Sequence, residues 1–475
     1  MKLRFPKPDL NSALATGDVD SPTAQPGSRP PAGPFSSPGS TSGDLTDSSN
    51  GLLQGKRVAM VLFSIYPDDA RPRRAIDALV SQGATVDLVC IAENGKDPKH
   101  EILNQIDVLR LPIRRGRGSV FRYVIQYSAF LLSSTAIVAV RMLSRPYDLV
   151  YVHNMPDILV LSGLIPKLFG AKVILDLHDP MPELMMTIFG FRPEAGVVRL
   201  LQRLEKWSIA LADSVVTVNR ACARLFTSRS CPSRKMNVVM NSPDERIFRL
   251  RPPRACATPP DASSKPFVII YHGSLVERNG LDLAVDALAR VRRSIPSAEL
   301  RIYGWRTPYL DRVMQSVRNA GLQEAAQYLG PKSLEQLVQV IAESDVGIVS
   351  NRRSTFTELN TPVRIFEYLA LGKPVIAPRS VGICDYFDDS SLLFFELGNV
   401  EDLAAKVEYA FSHPAQVAEM ARRGQEISRE HSWRKERKRL LRLVAGLLGE
   451  GVTKVESTSE ADHSEEAAAT TTHSK

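Results

Sequence analysis

From residue 57 onward, short runs of consecutive apolar residues alternate with stretches whose apolar positions recur at helical spacing. The first run, Arg57–Ile65, is apolar at nearly every position rather than every second one, which predicts a strand covered on both faces. A helix is expected over Arg73–Gln82, stopped by Gly83. Further strands are expected at Thr85–Ile91, Val108–Leu111, Leu149–His153, Lys172–Leu177, Ser214–Val218 and Asn237–Met240, with helical stretches between most of them. The rhythm breaks at 249–265, which carries four prolines, and then restarts. The second series of strands is Phe267–His272, Glu299–Tyr303, Gln327–Leu329, Val346–Ser350, Pro374–Ala377 and Leu392–Phe395. Helices are expected at Leu281–Ser294, Tyr309–Ala320, Leu334–Ala342, Pro362–Leu371 and Val400–Ser412. The pattern therefore predicts an α/β protein with two Rossmann-like halves facing across a cleft. Ligands of such sheets bind outside the carboxyl ends of the strands.

The remaining segments frame that body. Residues 1–52 are rich in Pro, Ser, Gly, Thr and Asp, and 451–475 are small, acidic and Thr-rich; both lack the apolar residues needed to offset ordering entropy. The expected organisation is a disordered tail (1–52), an N-terminal Rossmann-like domain (53–248), a linker (249–265), a C-terminal Rossmann-like domain (266–425), a helix returning to the first domain (426–450) and a second tail (451–475). Tyr123–Val140 is uncharged over 18 residues but carries Gln126 and several hydroxyls, and lies between strands of one sheet. A half-buried core helix or an interfacial helix fits that pattern better than a membrane span.

The chain has 475 residues and a formal charge of +8, a mild excess that permits an anionic surface as partner. Its basic clusters lack the aromatic and glycine interleaving of an RNA-binding sheet, so no nucleic acid is expected. Five scattered cysteines without a C-x-x-C pair argue for a reducing compartment and against a zinc site.

The candidate chemistry gathers at strand ends. "VYVHNMPD" places His153, Asn154 and Asp157 after one strand, and "VILDLHDPMPE" places Asp176, His178, Asp179 and Glu183 after the next. A histidine there can donate to a sugar hydroxyl or a developing charge, or simply cap a turn. In "YHGSLVERNGLDLAVDAL", Gly273 and Gly280 let backbone approach a ligand, the helix start offers N–H groups to phosphate, and Arg278 adds charge. Neither a Walker A loop nor a GxGxxG fingerprint is present. In "ELNTPVRIFEYLALGKPVIAP", Pro362 is read as opening a helix capped by Asn360 or Thr361, with Arg364 and Glu367 near one face. That glutamate can take both ribose hydroxyls while Arg364 faces phosphates, or the two can form an ordinary surface pair.

These segments, with "YPDDARPRRAIDAL" and "NVVMNSPDERIF", together resemble the family 4 glycosyltransferases of the GT-B fold, over about residues 56–450. The resemblance implies a retaining, nucleotide-sugar-dependent transferase that needs no metal or other cofactor, with a C-terminal helix packed back on the N-terminal domain. It implies catalytic roles for His178, Arg278 and Glu358. Donor-binding roles fall on Gly273, Ser274, Arg278, Asn360, Arg364 and Glu367, and acceptor-side roles on His153, Asn154, Asp157, Asp179, Glu183 and Arg71. The sequence departs from the family pattern at Leu359, where the first motif glutamate is expected and Glu358 is one position off. Ser274 and Asn279 stand where the family commonly has Arg and Lys, and Tyr66-Pro67 replaces a glycine pair. The implied partners are a nucleotide-diphosphate sugar, a lipid-linked or polysaccharide acceptor for cell-surface glycans, and an anionic membrane surface. Arg114, Arg115, Arg117 and Arg122, just before the apolar helix, suit a cytoplasmic protein peripheral at the inner membrane face. The alternatives are a nucleotide-sugar epimerase and a non-catalytic nucleotide-sugar-binding protein.

Overall fold

The computed structural model describes residues 51–93, 97–113, 120–253 and 266–450. Arg114, Arg115 and Arg117, nearly all of both tails and most of the proline-rich linker lie outside the described residues.

The N-terminal sheet is built from β1 (Arg57–Ile65), β2 (Thr85–Ile91), β3 (His100–Leu103), β4 (Ile106–Leu111), β5 (Leu149–His153), β6 (Lys172–Leu177), β7 (Ser214–Thr217) and β8 (Met236–Val238). Their order is β3-β4-β2-β1-β5-β6-β7-β8, parallel except for the β3–β4 pair. The antiparallel edge strand β3 is the one strand here that the apolar pattern did not announce. It is largely solvent-exposed, so burial never selected apolar residues for it.

The second sheet contains β9 (Phe267–His272), β10 (Ala298–Tyr303), β11 (Ala326–Tyr328), β12 (Val346–Ile348), β13 (Val375–Pro378) and β14 (Leu393–Phe395). Its order is β11-β10-β9-β12-β13-β14, all parallel. Strand order reverses beside β1 in the first sheet and beside β9 in the second. Crevices open at such switch points, and both candidate clusters fall there.

Each sheet is covered on both faces. On one face of the first sheet, helix Ala70–Val80 contributes Ile76 and Leu79 to a core closed by Leu440, Leu441 and Val444 of the last helix, Trp433–Leu447. The returning helix is also held by Glu436, fully buried, which accepts from the Met240 backbone N–H at 2.9 Å. The expected single helix over 426–450 is two elements: Pro414–Glu430 ends at His431, and a new helix starts at Trp433.

The opposite face is covered by helix Val120–Ser144, a short turn through Asp157–Gly163, and helices Leu164–Leu168 and Gly196–Leu211. In Val120–Ser144, Phe130, Ser134, Val138 and Met142 recur every fourth residue and are buried. Its other side is open, so the helix is half-buried and runs beyond the expected Tyr123–Val140 at both ends.

The two lobes touch through polar contacts. Asn219 Nδ2 donates to the Leu359 carbonyl at 2.8 Å and to Thr361 Oγ1 at 3.2 Å. The Arg220 N–H donates to the Tyr386 hydroxyl at 2.9 Å, and Arg224 pairs with Asp385 at 2.7 Å.

Candidate active site

On the N-terminal side, β5 ends at His153 and β6 at Leu177, followed by His178 and Asp179. Asn154 ties these ends together. Its Nδ2 donates to Asp157 Oδ1 (2.9 Å) and to the Asp179 carbonyl (2.8 Å), while its Oδ1 accepts from the His178 N–H (2.8 Å). Beneath them lies a buried charge pair. Arg71 donates from Nε and from one terminal nitrogen to Asp176 (3.1 and 2.6 Å) and from the other to the Val239 carbonyl and Asn241. The Tyr151 hydroxyl donates to the same carboxylate at 3.0 Å.

His153 Nδ1 and His178 Nε2 are 2.8 Å apart, and Asp176 Oδ2 lies 3.5 Å from that His153 nitrogen. Burial drives both imidazoles below their ordinary range, His153 to about 3 and His178 to about 4, so both are neutral near pH 7. His153 Nε2 is buried without a hydrogen-bond partner. A lone pair tolerates that better than an N–H, and the nearby carboxylate favours a hydrogen on Nδ1. His153 therefore donates and His178 accepts at Nε2, leaving the His178 hydrogen on Nδ1.

Not every proposed acceptor-side group reaches the crevice. Glu183 is buried on Arg229 (2.5 and 3.0 Å), which also holds the fully buried Glu205. Asp157 is 3% exposed, and burial, with Glu205 nearby, pushes it up to about 7. Arg71 is spent on Asp176 and two further acceptors. These three brace the site from behind, whereas Asp179 opens toward the other lobe: burial raises its carboxyl while the charge of Arg278 pulls it down.

On the C-terminal side, β9 ends at His272 and runs into Gly273 (φ 120°), Ser274 and a short turn, Glu277–Asn279, that carries Arg278. Gly280 (φ 63°) then starts helix Leu281–Val291. A Cβ at Gly280 would sit 1.9 Å from the Ser350 carbonyl oxygen, so the chain can pass only without a side chain. Gly280→Ala is expected to destabilise the protein by more than about 3 kcal/mol in urea unfolding. A loss under about 1 kcal/mol would show that the turn relaxes freely.

At this helix start three of the N–H groups that a phosphate could meet already have partners. The Asp282 N–H donates to the Tyr309 hydroxyl (3.1 Å), the Leu283 and Ala284 N–H groups return to the Gly280 carbonyl, and the Asp282 carboxylate binds Tyr309 and Arg352. Ser274, exposed, and Arg278, half-buried, lie in the turn before it.

The second motif forms helix Arg364–Ala370. It begins after Pro362, and the Thr361 hydroxyl donates to the Gly382 carbonyl at 2.7 Å rather than capping the helix. Arg364 and Glu367 are both buried. Arg364 donates to the His272 carbonyl (3.1 Å) and to Asn351 Oδ1 (3.0 Å), bracing two strand ends. Glu367 Oε2 is 3.3 Å from His272 Nε2, too poorly aligned for a hydrogen bond. Burial pushes Glu367 up to about 7 against the pull of Arg74 and Arg364, and drives His272 down to about 3. Four buried polar atoms here have no protein partner: His272 Nε2, Asn351 Nδ2, Arg364 Nε and Glu367 Oε2. Such a concentration in one place is unusual, because buried polar groups are normally paired. Glu358 lies apart, half-buried and paired with Arg353 at 3.3 Å, and Asn360 is half-buried in the loop before the helix.

Several members escaped the sequence reading. His272 and Asn351 looked like ordinary ends of buried strands. Arg74, in helix Ala70–Val80, reaches toward Glu367 from the other lobe and is lowered to about 10, by burial first. The signal that could have flagged His272 and Asn351 is a polar residue closing an apolar run on a carboxyl edge.

Two parallel α/β sheets whose switch-point crevices face each other define the GT-B class of glycosyltransferases. Comparison with known proteins agrees. The family described as "Glycosyl transferases group 1" matches residues 259–427, and that described as "Glycosyl transferase 4-like domain" matches 70–242. The chain belongs to the family 4 GT-B glycosyltransferases and is a transferase enzyme.

One relative is the GDP-mannose-dependent α-(1-6)-phosphatidylinositol monomannoside mannosyltransferase of Mycolicibacterium smegmatis, 25% identical over 248 residues, 50% of this chain and 63% of that one. The curated relatives are matched over only 40% to 63% of their lengths. Among solved structures, sucrose-phosphate synthase from Thermosynechococcus elongatus superposes with a TM-score of 0.67 at 16% identity, covering 83% of this chain and 100% of that one. Anabaena HepE, solved with UDP-glucose, gives 0.60 at 16% identity, covering 82% and 99%.

Proposed function

We propose that the protein transfers a sugar, with retention of anomeric configuration, from a nucleotide-diphosphate sugar to a lipid-linked or polysaccharide acceptor in cell-surface glycan synthesis. The observation that carries this reading is the set of four unpartnered buried polar atoms on the C-terminal lobe, opposite His178 and Asp179. A bound ribose supplies hydroxyls to Glu367, as a carboxylate can accept from both. Ser274 and Arg278 lie where a diphosphate would leave, and their donors stabilise its growing charge. The acceptor oxygen bonds to the anomeric carbon as the carbon–phosphate-oxygen bond breaks, and the acceptor proton passes to the departing diphosphate. His178, neutral and with its hydrogen on Nδ1, donates to the sugar rather than removing a proton.

No metal is needed in this scheme. His153, Asp176 and His178 offer ligand atoms within 4.8 Å of one another, but the Arg71 guanidinium already neutralises Asp176, and a divalent cation beside it would be repelled. The UDP-glucose bound to HepE is consistent with a nucleotide-sugar donor here.

A thermal-shift screen of UDP, GDP, ADP and their sugars tests the reading. One diphosphate is expected to raise the melting temperature by several degrees, because it binds only the folded state. The same donor should be consumed quickly only when acceptor is added. Rapid turnover of donor alone would favour an epimerase, and no shift with any nucleotide would remove the donor site.

A further inference from the structure

We propose that the helical face of the N-terminal lobe opposite the returning helix rests on an anionic lipid surface. Helices Val120–Ser144, Leu164–Leu168 and Gly196–Leu211 cover one side of the first sheet, and helix Met181–Phe189 packs against the last of them. These four helices and the residues beside them carry most of the large exposed apolar side chains of the described residues. Phe121 is 73% exposed, Leu132 71%, Leu143 80%, Leu168 77%, Phe169 71% and Trp207 62%. In the most apolar 18-residue window of Phe121–Ser144 the mean hydropathy is 1.6, yet only 17% of that window is buried. The two helices on the other side of the sheet, Ala70–Val80 and Trp433–Leu447, expose no large apolar side chain. So the asymmetry belongs to one face and is not a general looseness of the surface.

Charge identifies the occupant. The exposed charged residues on the four helices are Arg122, Arg199, Arg203 and Lys206, all positive. Their two carboxylates, Glu183 and Glu205, are buried on Arg229. In the loop before helix Gly196–Leu211, Glu194 is exposed but so is Arg192, so the excess stays positive. An apolar centre with a tryptophan and a predominantly basic exposed complement suits lipid headgroups above acyl chains. The same long helix that could cross a membrane by composition instead packs Phe130, Val138 and Met142 into the core over β1, β2, β5 and β6, which holds it flat against the sheet. The face also continues to the crevice. Helix Met181–Phe189 starts two residues after Asp179 and ends at Phe189, whose ring packs on Tyr123 of the long helix. Nine residues of helix span about 13 Å. An acceptor anchored in the bilayer would have that short distance to climb, and this last point rests on the transferase reading; binding to lipid does not.

The test uses the full chain with vesicles of phosphatidylcholine, with and without phosphatidylglycerol. The protein is expected to cosediment with the anionic vesicles, to be released by salt, and to leave the pellet in alkaline carbonate. The triple variant Leu168→Ser, Phe169→Ser, Trp207→Ser is expected to lose roughly tenfold or more in partitioning, and Arg199→Ser with Arg203→Ser and Lys206→Ser to lose the preference for anionic lipid. Both should keep the wild-type melting curve and nucleotide-induced shift, which separates failure of this face from failure of the donor site. Absence of binding to anionic vesicles, equal partitioning of wild type and triple variant, or resistance to carbonate would each overturn the proposal. So would a lipid-free dimer that the triple variant dissociates, since the face would then be covered by a second copy.

Discussion

Asp176→Ala is expected to cost about 3–5 kcal/mol of folding stability, because it leaves the Arg71 guanidinium buried without its counter-charge. Asp176 is 1% exposed and Arg71 9%, and the carboxylate accepts three bonds from Arg71 and one from Tyr151. Burial alone would raise this carboxyl, but Arg71 outweighs it and holds it at about 2. A carboxyl lowered from 3.8 contributes stability that is whole above pH 4 and fades only as the pH falls through 2. The histidines above it act earlier. His153 and His178 are lowered from 6.5, so the unfolded chain takes up protons that the folded chain refuses, and stability drops as the pH falls from 6.5 toward 4. Urea titrations of wild type and D176A at pH 7, and of wild type between pH 7 and 4, measure both effects. A loss below about 1 kcal/mol in the variant would mean that water reaches Arg71 and the pair is not a buried brace.

Glu367→Ala should weaken binding of the nucleotide donor at least tenfold, and Arg278→Ala should do the same, since charged hydrogen bonds are worth roughly 1.5–3 kcal/mol. Glu367 adds a signature that a generic packing defect would lack. Burial raises it from 4.5 to about 7, so without ligand it retains its proton at mildly acidic pH. A raised carboxyl stabilises the fold when protonated, and that contribution is lost as pH climbs from 4.5 through 7, opposite in sign to the histidines. Accepting two ribose hydroxyls requires the carboxylate, so binding below pH 7 must release a proton. Affinity should therefore fall about tenfold per pH unit well below 7. Glu367→Gln should be weak at all pH values and lose this slope. A wild-type affinity that is flat between pH 5 and 8 would place the ribose elsewhere.

How far the sequence led depends on the kind of interaction that fixes each part. Strands β1, β5 and β6 were legible because parallel strands buried on both faces must be apolar throughout. Strand β3 was not, because an exposed edge imposes no such demand. His178, Asp179, Arg278 and Glu367 were found from short segments next to strand ends. Their partners were not, since His272 meets Glu367, Arg74 faces it and Asn219 joins Leu359 only through folding of distant segments. The reading of the helix start after Gly280 as suited to phosphate is narrowed for a related reason. Spacing shows a glycine before a helix, but not that Tyr309, from the next helix, already occupies the N–H of Asp282, its second residue. Glu183 and Asp157 were placed on the acceptor side by their position after strands; their burial with Arg229 and Asn154 puts them behind it.

The central claim is that Glu367, with His272 and Asn351, holds a nucleotide diphosphate beneath His178. Calorimetric titration of UDP, GDP and ADP into wild type and Glu367→Ala at pH 8 tests it most directly. The account predicts that one of the three binds wild type at one site per chain, and at least tenfold more weakly in the variant. Equal affinity of the two proteins, or no heat from any nucleotide, would contradict it.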